Sequence, residues 1–597
     1  MRALLLLALF TTGFFTSACR TVRPAWAVQP QLNITSRHTN EGDVVGGAGK
    51  LGGHAWLGIP FAEPPVGDLR WRAPRPPSLR DFPLAATQFS RACVQPANRL
   101  TINETEHDGV FGSEDCLYLN IWAPEVAKNL PVMVWIHGGG NSIGSAAQYD
   151  LSRLATQENV IAVSVQYRLG PLGWFRHSAL REGATEDDAS GNYGTLDLVR
   201  ALEWVRDNIA AFGGDPNAVT IFGESAGGTN VYSLLVSPKA KGLFHRAIAQ
   251  SPSISRYTLA SAEDLDGHPN SSNEVLSRIW STRGARDRQD GLEKIKLTPR
   301  EAVAAVWRGL PAHEVIRLYV EGAPVTAGML DVPILFPDGA VLPKEGWVSV
   351  FATPGGWNAV PVITGSNRDE AKLFQLFDKR HTYYLLGFLP RMRDEQRYEA
   401  QASAVSRLWR GATVDAVAKA MRASGHEDVW SYRFDWDDEP TKLGTELGKL
   451  LGAAHGIEIP FVFGDFEGQE LLYELEDNTQ RDLLVTRMMD HWGNFAHAGK
   501  PGSEWLRYDP SSASAPKYLT LDTPVERVKM SSTVEDPEAV LQELLAARDT
   551  LWADKCDGLS RLVKIGFVEP ERAARVYECK TGSDPVSPDT QGTSPVP

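Results

Sequence analysis

A chain of 597 residues is long enough for about four domains of ordinary size, but large α/β enzymes often run as one unit, so length leaves the count open. With 43% hydrophobic and 22% charged residues, the composition excludes wholesale disorder, collagen-like repeats and a multi-span membrane protein. A formal charge of -14 disfavours nucleic acid and anionic lipid surfaces as partners, because both are held chiefly by clustered Lys and Arg.

The chain opens with Met1-Arg2 and an apolar stretch from Ala3 to Ala18. That is short of the roughly 20 residues a spanning helix needs and typical of a signal peptide, so residues 1–27 are expected to direct export. Two processing sites compete. Thr16-Ser17-Ala18-Cys19 is like a bacterial lipobox, with Thr where Leu is usual, and would leave Cys19 as a lipid anchor; Ala25-Trp26-Ala27 fits small-x-small cleavage and a freely secreted product. No later segment is apolar for long enough to span a bilayer. Residues 20–35 are Pro-rich and aperiodic, and residues 581–597 (TGSDPVSPDTQGTSPVP) have almost no apolar content. Both are expected to be flexible, which places the ordered body within residues 28–580.

Near the start of that body, Gly47-Ala48-Gly49-Lys50-Leu51-Gly52 fits G-x-G-x-x-G. No helical pattern follows it, and the flanking DVVGG and HAWLG read as a hairpin, so a dinucleotide site is set aside. Five cysteines leave an odd one: Cys93 and Cys116 stand 23 apart, Cys556 and Cys579 also 23 apart, and Cys19 is alone in the leader. Two local disulfides are expected, each worth about 3 kcal/mol in the chain-entropy model and persistent in an oxidising compartment. A zinc site lacks C-x-x-C or His partners at ligand spacing.

Continuous apolar runs then recur at Pro131 to Ile136, Val160 to Tyr167, Ala218 to Phe222, Arg246 to Ala249 and Val360 to Thr364. Such runs suit strands buried on both faces, as in a parallel sheet. Between the second and third, Leu196, Val199, Leu202, Val205 and Ile209 repeat at helical spacing, and Gly213-Gly214-Asp215-Pro216 stops the helix. Strand, helix, strand argues for a doubly wound α/β architecture. The stretch from about Asp264 to Val320 is polar and reads only as helices and loops. Within it His313-Glu314 begins like a zinc-protease helix, but Arg317 stands where the second His belongs. Asp435, Asp437 and Asp438 read as a solvated acidic loop.

Two of these strands lead straight into chemistry. Gly223-Glu224-Ser225-Ala226-Gly227 follows Ala218 to Phe222, which is the context of a nucleophile elbow, where a strained strand-to-helix turn pushes the serine out and flanking side chains would clash. His137-Gly138-Gly139-Gly140 follows Pro131 to Ile136 and matches the glycine loop that offers backbone N–H groups to an oxyanion. Eight histidines and many carboxylates lie C-terminal to Ser225, and spacing alone does not choose among them. The elbow supplies only an order, Ser, then Asp or Glu, then His.

The sequence resembles the type-B carboxylesterase family, which includes the cholinesterases. Gly58 to Pro65 (GIPFAEPP) is similar to its N-terminal signature, Glu114 to Asn120 (EDCLYLN) to its second and Phe222 to Gly228 (FGESAGG) to its active-site signature; YRLG at 167–170, GNYG at 191–194 and FGGDP at 212–216 fill the gaps. The likeness runs from about Gly46 to Gly499. It implies an α/β-hydrolase fold, with a mostly parallel twisted central sheet flanked by helices. It also implies a catalytic acid at Glu370 in GSNRDE, with Asp369 as its rival, and a base at His455 in HGIE. The family further implies oxyanion donors at Gly139, Gly140 and Ala226 and a bridge from Cys93 to Cys116. Two departures bear on specificity. Asn141 stands where the family has an aromatic residue after the glycines, and Glu106 stands where cholinesterases carry a choline-stacking Trp.

The chemistry this implies is broad-specificity hydrolysis of neutral, small-molecule carboxylic esters through an acyl-enzyme on Ser225, with Glu370 orienting His455 and with no metal or organic cofactor. The same triad serves amidases and thioesterases, whose distinction lies in pocket walls. A non-catalytic adhesion homologue of the family would lack the nucleophile that this chain retains.

Overall fold

The structure, a computed structural model, describes residues 28–97, 109–321 and 328–546. The leader with Cys19, Glu106, the Cys556–Cys579 pair and the C-terminal tail lie outside the described residues.

Eleven strands form the central sheet among the described residues. In chain order they are β1 (Gly47–Ala48), β2 (His54–Pro60), β3 (Tyr118–Ala123), β4 (Leu130–Ile136), β5 (Ile161–Val165), β6 (Gly214–Glu224), β7 (Arg246–Gln250), β8 (Val362–Asn367), β9 (Val429–Phe434), β10 (Tyr518–Leu521) and β11 (Lys529–Ser531). Side by side their order is β11-β10-β9-β8-β7-β6-β4-β5-β3-β2-β1. Every pair from β10 across to β5 is parallel, whereas β11 at one margin and β3, β2 and β1 at the other run antiparallel. The five apolar runs of the sequence are thus five of the seven parallel strands.

Strand β4 shows why the centre reads as unbroken apolar sequence. Side chains alternate sides along a strand, so Val132, Val134 and Ile136 enter one core layer while Met133 and Trp135 enter the other. Helix α1 (Tyr193–Asn208) lays Leu196, Val199, Leu202 and Val205 on the first layer, as their spacing predicts. It ends in a short 3-10 turn at Ile209–Phe212 and at Gly213, whose φ of +85° favours glycine. Helix α2 (Ala226–Val236) packs in the same layer, and α3 (Thr479–Ala498) covers the opposite face with Leu484, Met488, Trp492 and Phe495. Each such side chain contributes roughly 1.5–3 kcal/mol on burial.

The hairpin between DVVGG and HAWLG is present but short: Gly47 pairs with Ala55 and Ala48 with His54, while Gly42–Val45 pairs with Ser36–Thr39. One local expectation is corrected. The acidic loop is not simply solvated. Asp435 is buried and bound by both arms of Arg433, Asp437 accepts from Arg368, and Asp438 accepts from the hydroxyl of Thr523. The residues between Asp264 and Val320 form four helices, Ser272–Thr282, Arg288–Leu297, Arg300–Gly309 and Ala312–Val320, around the buried Trp307; His313 and Glu314 fall in the first turn of the last. Cys93 and Cys116 are joined, buried, with Cα atoms 5.1 Å apart. Among the described residues no helix is long and apolar enough to cross a membrane.

Candidate active site

The C-terminal ends of parallel strands are where an open α/β sheet places its ligands, and three of them carry the residues singled out in the sequence. Strand β6 ends at Glu224, and Ser225 follows with φ +59° and ψ -121° before α2 begins. That conformation costs of the order of 1–3 kcal/mol for a residue with a Cβ and persists only where its surroundings over-determine it. Here they do. The Ser225 N–H donates to Gln250 O at the end of β7, and its carbonyl accepts from Thr229 N, both at 2.9 Å. A Cβ at Gly227 would stand 2.0 Å from Ile136 O, and one at Gly228 would stand 2.5 Å from Gln250 O. The glycines let β4, β6 and β7 close around the turn.

The HGGG loop leaves β4 directly beside it. A Cβ on Gly138 would stand 3.1 Å from the Cβ of Ser225, so the glycine run passes against that serine. Gly139 and Gly140 have φ of +103° and +62°, values open to glycine. A Cβ on Gly139 would meet Ile143 O at 2.2 Å, and one on Gly140 the sulfur of Met329 at 2.6 Å. Ala226 opens α2, where the first N–H groups have no intrahelical acceptor. His137 is buried, stacked on Tyr167, and its carbonyl accepts from the Tyr167 hydroxyl at 2.7 Å. Burial lowers its pKa to about 4, which keeps the imidazole neutral. Asn141, in place of an aromatic residue, is buried with φ +55° and accepts from Asn230 Nδ2 at 2.8 Å. Its side chain is held by a polar neighbour.

Glu370 follows β8, and His455 lies on the long connection between β9 and α3. Glu370 Oε2 stands 2.5 Å from His455 Nδ1, and its Oε1 accepts from Asn367 N at 2.8 Å. Asp369 faces elsewhere: its Oδ2 accepts from Ala453 N at 3.2 Å and from Arg368 at 2.7 Å. The other imidazole nitrogen, Nε2, is 3.2 Å from Glu224 Oε1. Glu224 directly precedes Ser225, and among the described residues no hydrogen bond joins Ser225 to His455.

Sequence reasoning missed the carboxylates and rings around this histidine. Glu224 and Glu458 are buried, and Glu458 is held by Gln250 Nε2 at 3.2 Å and Asn367 Nδ2 at 2.6 Å. The signals were present, Glu224 as the variable residue of the elbow and Glu458 as the last of HGIE. Burial pushes Glu224 up to about 8, and the nearby Glu458 and Glu370 oppose its ionisation further, against the pull of His455. Burial works against the imidazolium of His455, but Glu224 and Glu370 outweigh it and hold the group at about 9. Glu224 and His455, 3.2 Å apart at their nearest atoms, are not hydrogen-bonded but bias each other's charge. Trp409 and Phe374 pack on the ring with centroids 4.8 and 5.4 Å away, and Trp409 is fixed by donating to Pro252 O at 2.8 Å.

The model of the carboxylesterase family matches residues 33–384 and 380–539. The chain belongs to this family. It is 34% identical over 520 residues to the para-nitrobenzyl esterase of Bacillus subtilis (strain 168), covering 84% of this chain and 96% of that one. It is 35% identical over 505 residues to the fumonisin B1 esterase of Sphingopyxis macrogoltabida, covering 79% and 84%. A solved PNB esterase superposes with a TM-score of 0.64 at 30% identity, covering 86% of this chain and 99% of that one. A carboxylesterase of Geobacillus stearothermophilus gives 0.61 at 28%. The fold is that of an α/β-hydrolase, and the chain is a carboxylic ester hydrolase. Among the described residues of this carboxylesterase, no group of three His, Cys, Asp or Glu side chains is placed to hold a metal ion.

Proposed function

We propose that the chain hydrolyses small neutral esters through an acyl-enzyme on Ser225, with His455 as base and Glu370 as the group that orients it. The observation that carries this reading is the 2.5 Å contact between Glu370 and His455 Nδ1, set beside a serine held in the strained elbow. With Nδ1 so engaged, Nε2 is the nitrogen free to exchange Glu224 for Ser225 Oγ when substrate enters. His455 then takes the Ser225 proton as Oγ attacks the carbonyl carbon, and the negative charge forming on the carbonyl oxygen meets the N–H groups of Gly139, Gly140 and Ala226. Collapse breaks the C–O bond to the alcohol, which leaves with the proton from His455. Water, deprotonated by His455, attacks the acyl carbon and releases the acid and Ser225.

Met329, Phe374 and Trp409 give the surroundings of Gly140 and His455 an apolar character suited to uncharged substrates. The name of the Bacillus relative makes a 4-nitrobenzyl ester a reasonable first probe. Ser225→Ala should abolish labelling by a fluorophosphonate probe and lower kcat by about 10⁴-fold or more, because triad members act as a unit. Ordinary turnover by that variant would refute the assignment.

A further inference from the structure

Two neighbouring turns present leucines where the backbone favours other residues. The strands Thr382–Leu385 and Leu389–Met392 form a hairpin whose turn begins at Leu386-Gly387, with φ of +54° and +79°. A smaller hairpin, Thr441–Lys442 with Thr445–Glu446, turns through Leu443-Gly444, with φ of +49° and +70°. Turns with this left-handed backbone take Asn, Asp or Gly at the first position, because a bulkier side chain is strained there. Leucine is therefore costly at both places, and it returns little by burial: Leu386 is 72% exposed and Leu443 52%. Arg391 links the two hairpins. It stands opposite Tyr383 in the first, and in the second it donates to Leu443 O at 3.2 Å and to the Thr445 hydroxyl. Tyr383 and Leu385, on the outer side of the first hairpin, are exposed as well. Single exposed leucines need no explanation, but strained ones grouped on adjoining hairpins mark a contact surface.

The charge around these leucines points to what they meet. Residues 379–393 contain Lys379, Arg380, Arg391 and Arg393 and no Asp or Glu, in a chain whose formal charge is -14. The acids that bound the stretch are engaged, Asp378 by Arg380 and Asp394 by the N–H of Arg397, and Glu446 of the second hairpin is paired with Lys449. Arg391 and Arg393 are held instead by carbonyl oxygens, those of Pro390 and Leu443 for the first and that of Lys379 for the second. Such contacts orient a guanidinium without cancelling its charge. Arg393 also lies over the Tyr383 ring, 5.6 Å from its centroid, which sets a cation at the flank of the apolar tip. Acids elsewhere on the chain are screened beyond about 10 Å at 0.1 M salt, so the local patch decides. An apolar tip with a cationic rim suits a bilayer interface, with leucines and an aromatic ring among the acyl chains and cations at the phosphates. A second copy of this chain fits less well, since a two-fold contact would set these cations against themselves.

We propose that the turns at Leu386 and Leu443 dock the protein on an anionic phospholipid bilayer, with Tyr383 and the leucines in the interface and Lys379, Arg391 and Arg393 on lipid phosphates. The first hairpin is tied to the body of the protein. Thr382 Oγ1 and the Tyr384 hydroxyl both donate to Leu376 O, at 2.8 and 3.1 Å. Leu376 ends the helix Ala371–Leu376, which starts directly after Glu370 and carries Phe374 on His455. One short helix therefore connects the docked hairpin to the proposed triad, so docking holds an esterase site close to the surface in which apolar esters collect. That consequence rests on the ester reading of the site; the docking itself does not.

The test is co-sedimentation of the purified full chain with vesicles of equal parts phosphatidylcholine and phosphatidylglycerol, and with vesicles of phosphatidylcholine alone. Partitioning to the anionic vesicles should exceed that to the neutral ones at least tenfold and should fall at least tenfold in high salt. The double variant Leu386→Asn, Leu443→Asn differs from the parent only at the two turns, so any contribution of residues 1–27 is common to both proteins. It should bind the anionic vesicles at least tenfold more weakly. Asparagine suits left-handed turns, so the variant should melt no lower than the parent and should hydrolyse a soluble 4-nitrophenyl ester within twofold of it. The proposal is overturned by a parent that does not partition, by partitioning within twofold on the two lipids, or by a double variant that binds within twofold of the parent. A solution dimer of the parent that the double variant abolishes, measured by sedimentation equilibrium, would assign the turns to a second copy and overturn it too. Should the variant not fold, hydrogen exchange of the parent on anionic vesicles decides: slowed amides at 383–387 and 442–444 support docking, and protection that misses both turns overturns it.

Discussion

Glu224→Gln isolates the influence of Glu224 on the charge of His455 in the candidate active site. In the native protein a carboxylate oxygen stands 3.2 Å from His455 Nε2. A unit charge pair at that distance interacts by about 5 kcal/mol at an effective dielectric near 20. Desolvation of both groups takes back part of this, and opposite charges at such range typically displace a pKa by about 1 to 3 units. The sign follows from which form Glu224 favours. As a carboxylate it stabilises the imidazolium, which cannot act as base; glutamine cannot do so, and the imidazole loses its proton at lower pH. Glu370, still 2.5 Å from Nδ1, keeps some of the elevation. The acidic limb of kcat/KM reports the base of the free enzyme, so in Glu224→Gln it should move about 1 to 3 units to lower pH. Initial rates on a neutral 4-nitrophenyl ester between pH 5 and 10 measure this. A limb that stays within about 0.3 units of the parent would mean that the working histidine has left Glu224 before it titrates, and would refute the electrostatic coupling of the two groups.

Glu370→Gln should lose most activity while Asp369→Asn keeps far more, since Asp369 is occupied by Ala453 N and Arg368 and only Glu370 meets His455; the reverse ranking in kcat/KM would make Asp369 the acid. Gly227→Ala should destabilise the protein by more than about 4 kcal/mol in urea titrations, because its Cβ falls 2.0 Å from a backbone oxygen. Gly309→Ala, with nothing within 4 Å, should stay within about 0.5 kcal/mol of the parent, and equal effects would refute the close-approach reading. A choline ester should not exceed its uncharged carbon isostere by tenfold in kcat/KM, about 1.4 kcal/mol, because the nearest rings, Trp409 and Phe374, already pack on His455. A larger preference would place an aromatic cage elsewhere in the site.

Much of the architecture was legible because it is written in local pattern. The five apolar runs, the helix at 193–208 and the two turns that leave β4 and β6 follow from periodicity and from glycines at fixed offsets, each spanning only a few residues. The margins of the sheet were less legible. Strand β11 has three residues, none fully buried, and carries no apolar run to mark it. The nature of the acidic loop also escaped, since the arginine that binds Asp437 comes from a loop 69 residues away in sequence.

By itself, then, the sequence determined the strained turn at Ser225 and the glycine loop, and through resemblance it supplied the order Ser225, Glu370, His455 as an expectation. Only the tertiary structure decided which of two adjacent carboxylates faces the histidine. A one-residue step along the turn after β8 sends Glu370 to His455, 85 positions away, and Asp369 to Ala453, 84 positions away. Only the tertiary structure, too, buried Glu224 and Glu458. A carboxylate's charge state depends on the water it loses and the charges it meets, and both are supplied by chain segments remote in sequence.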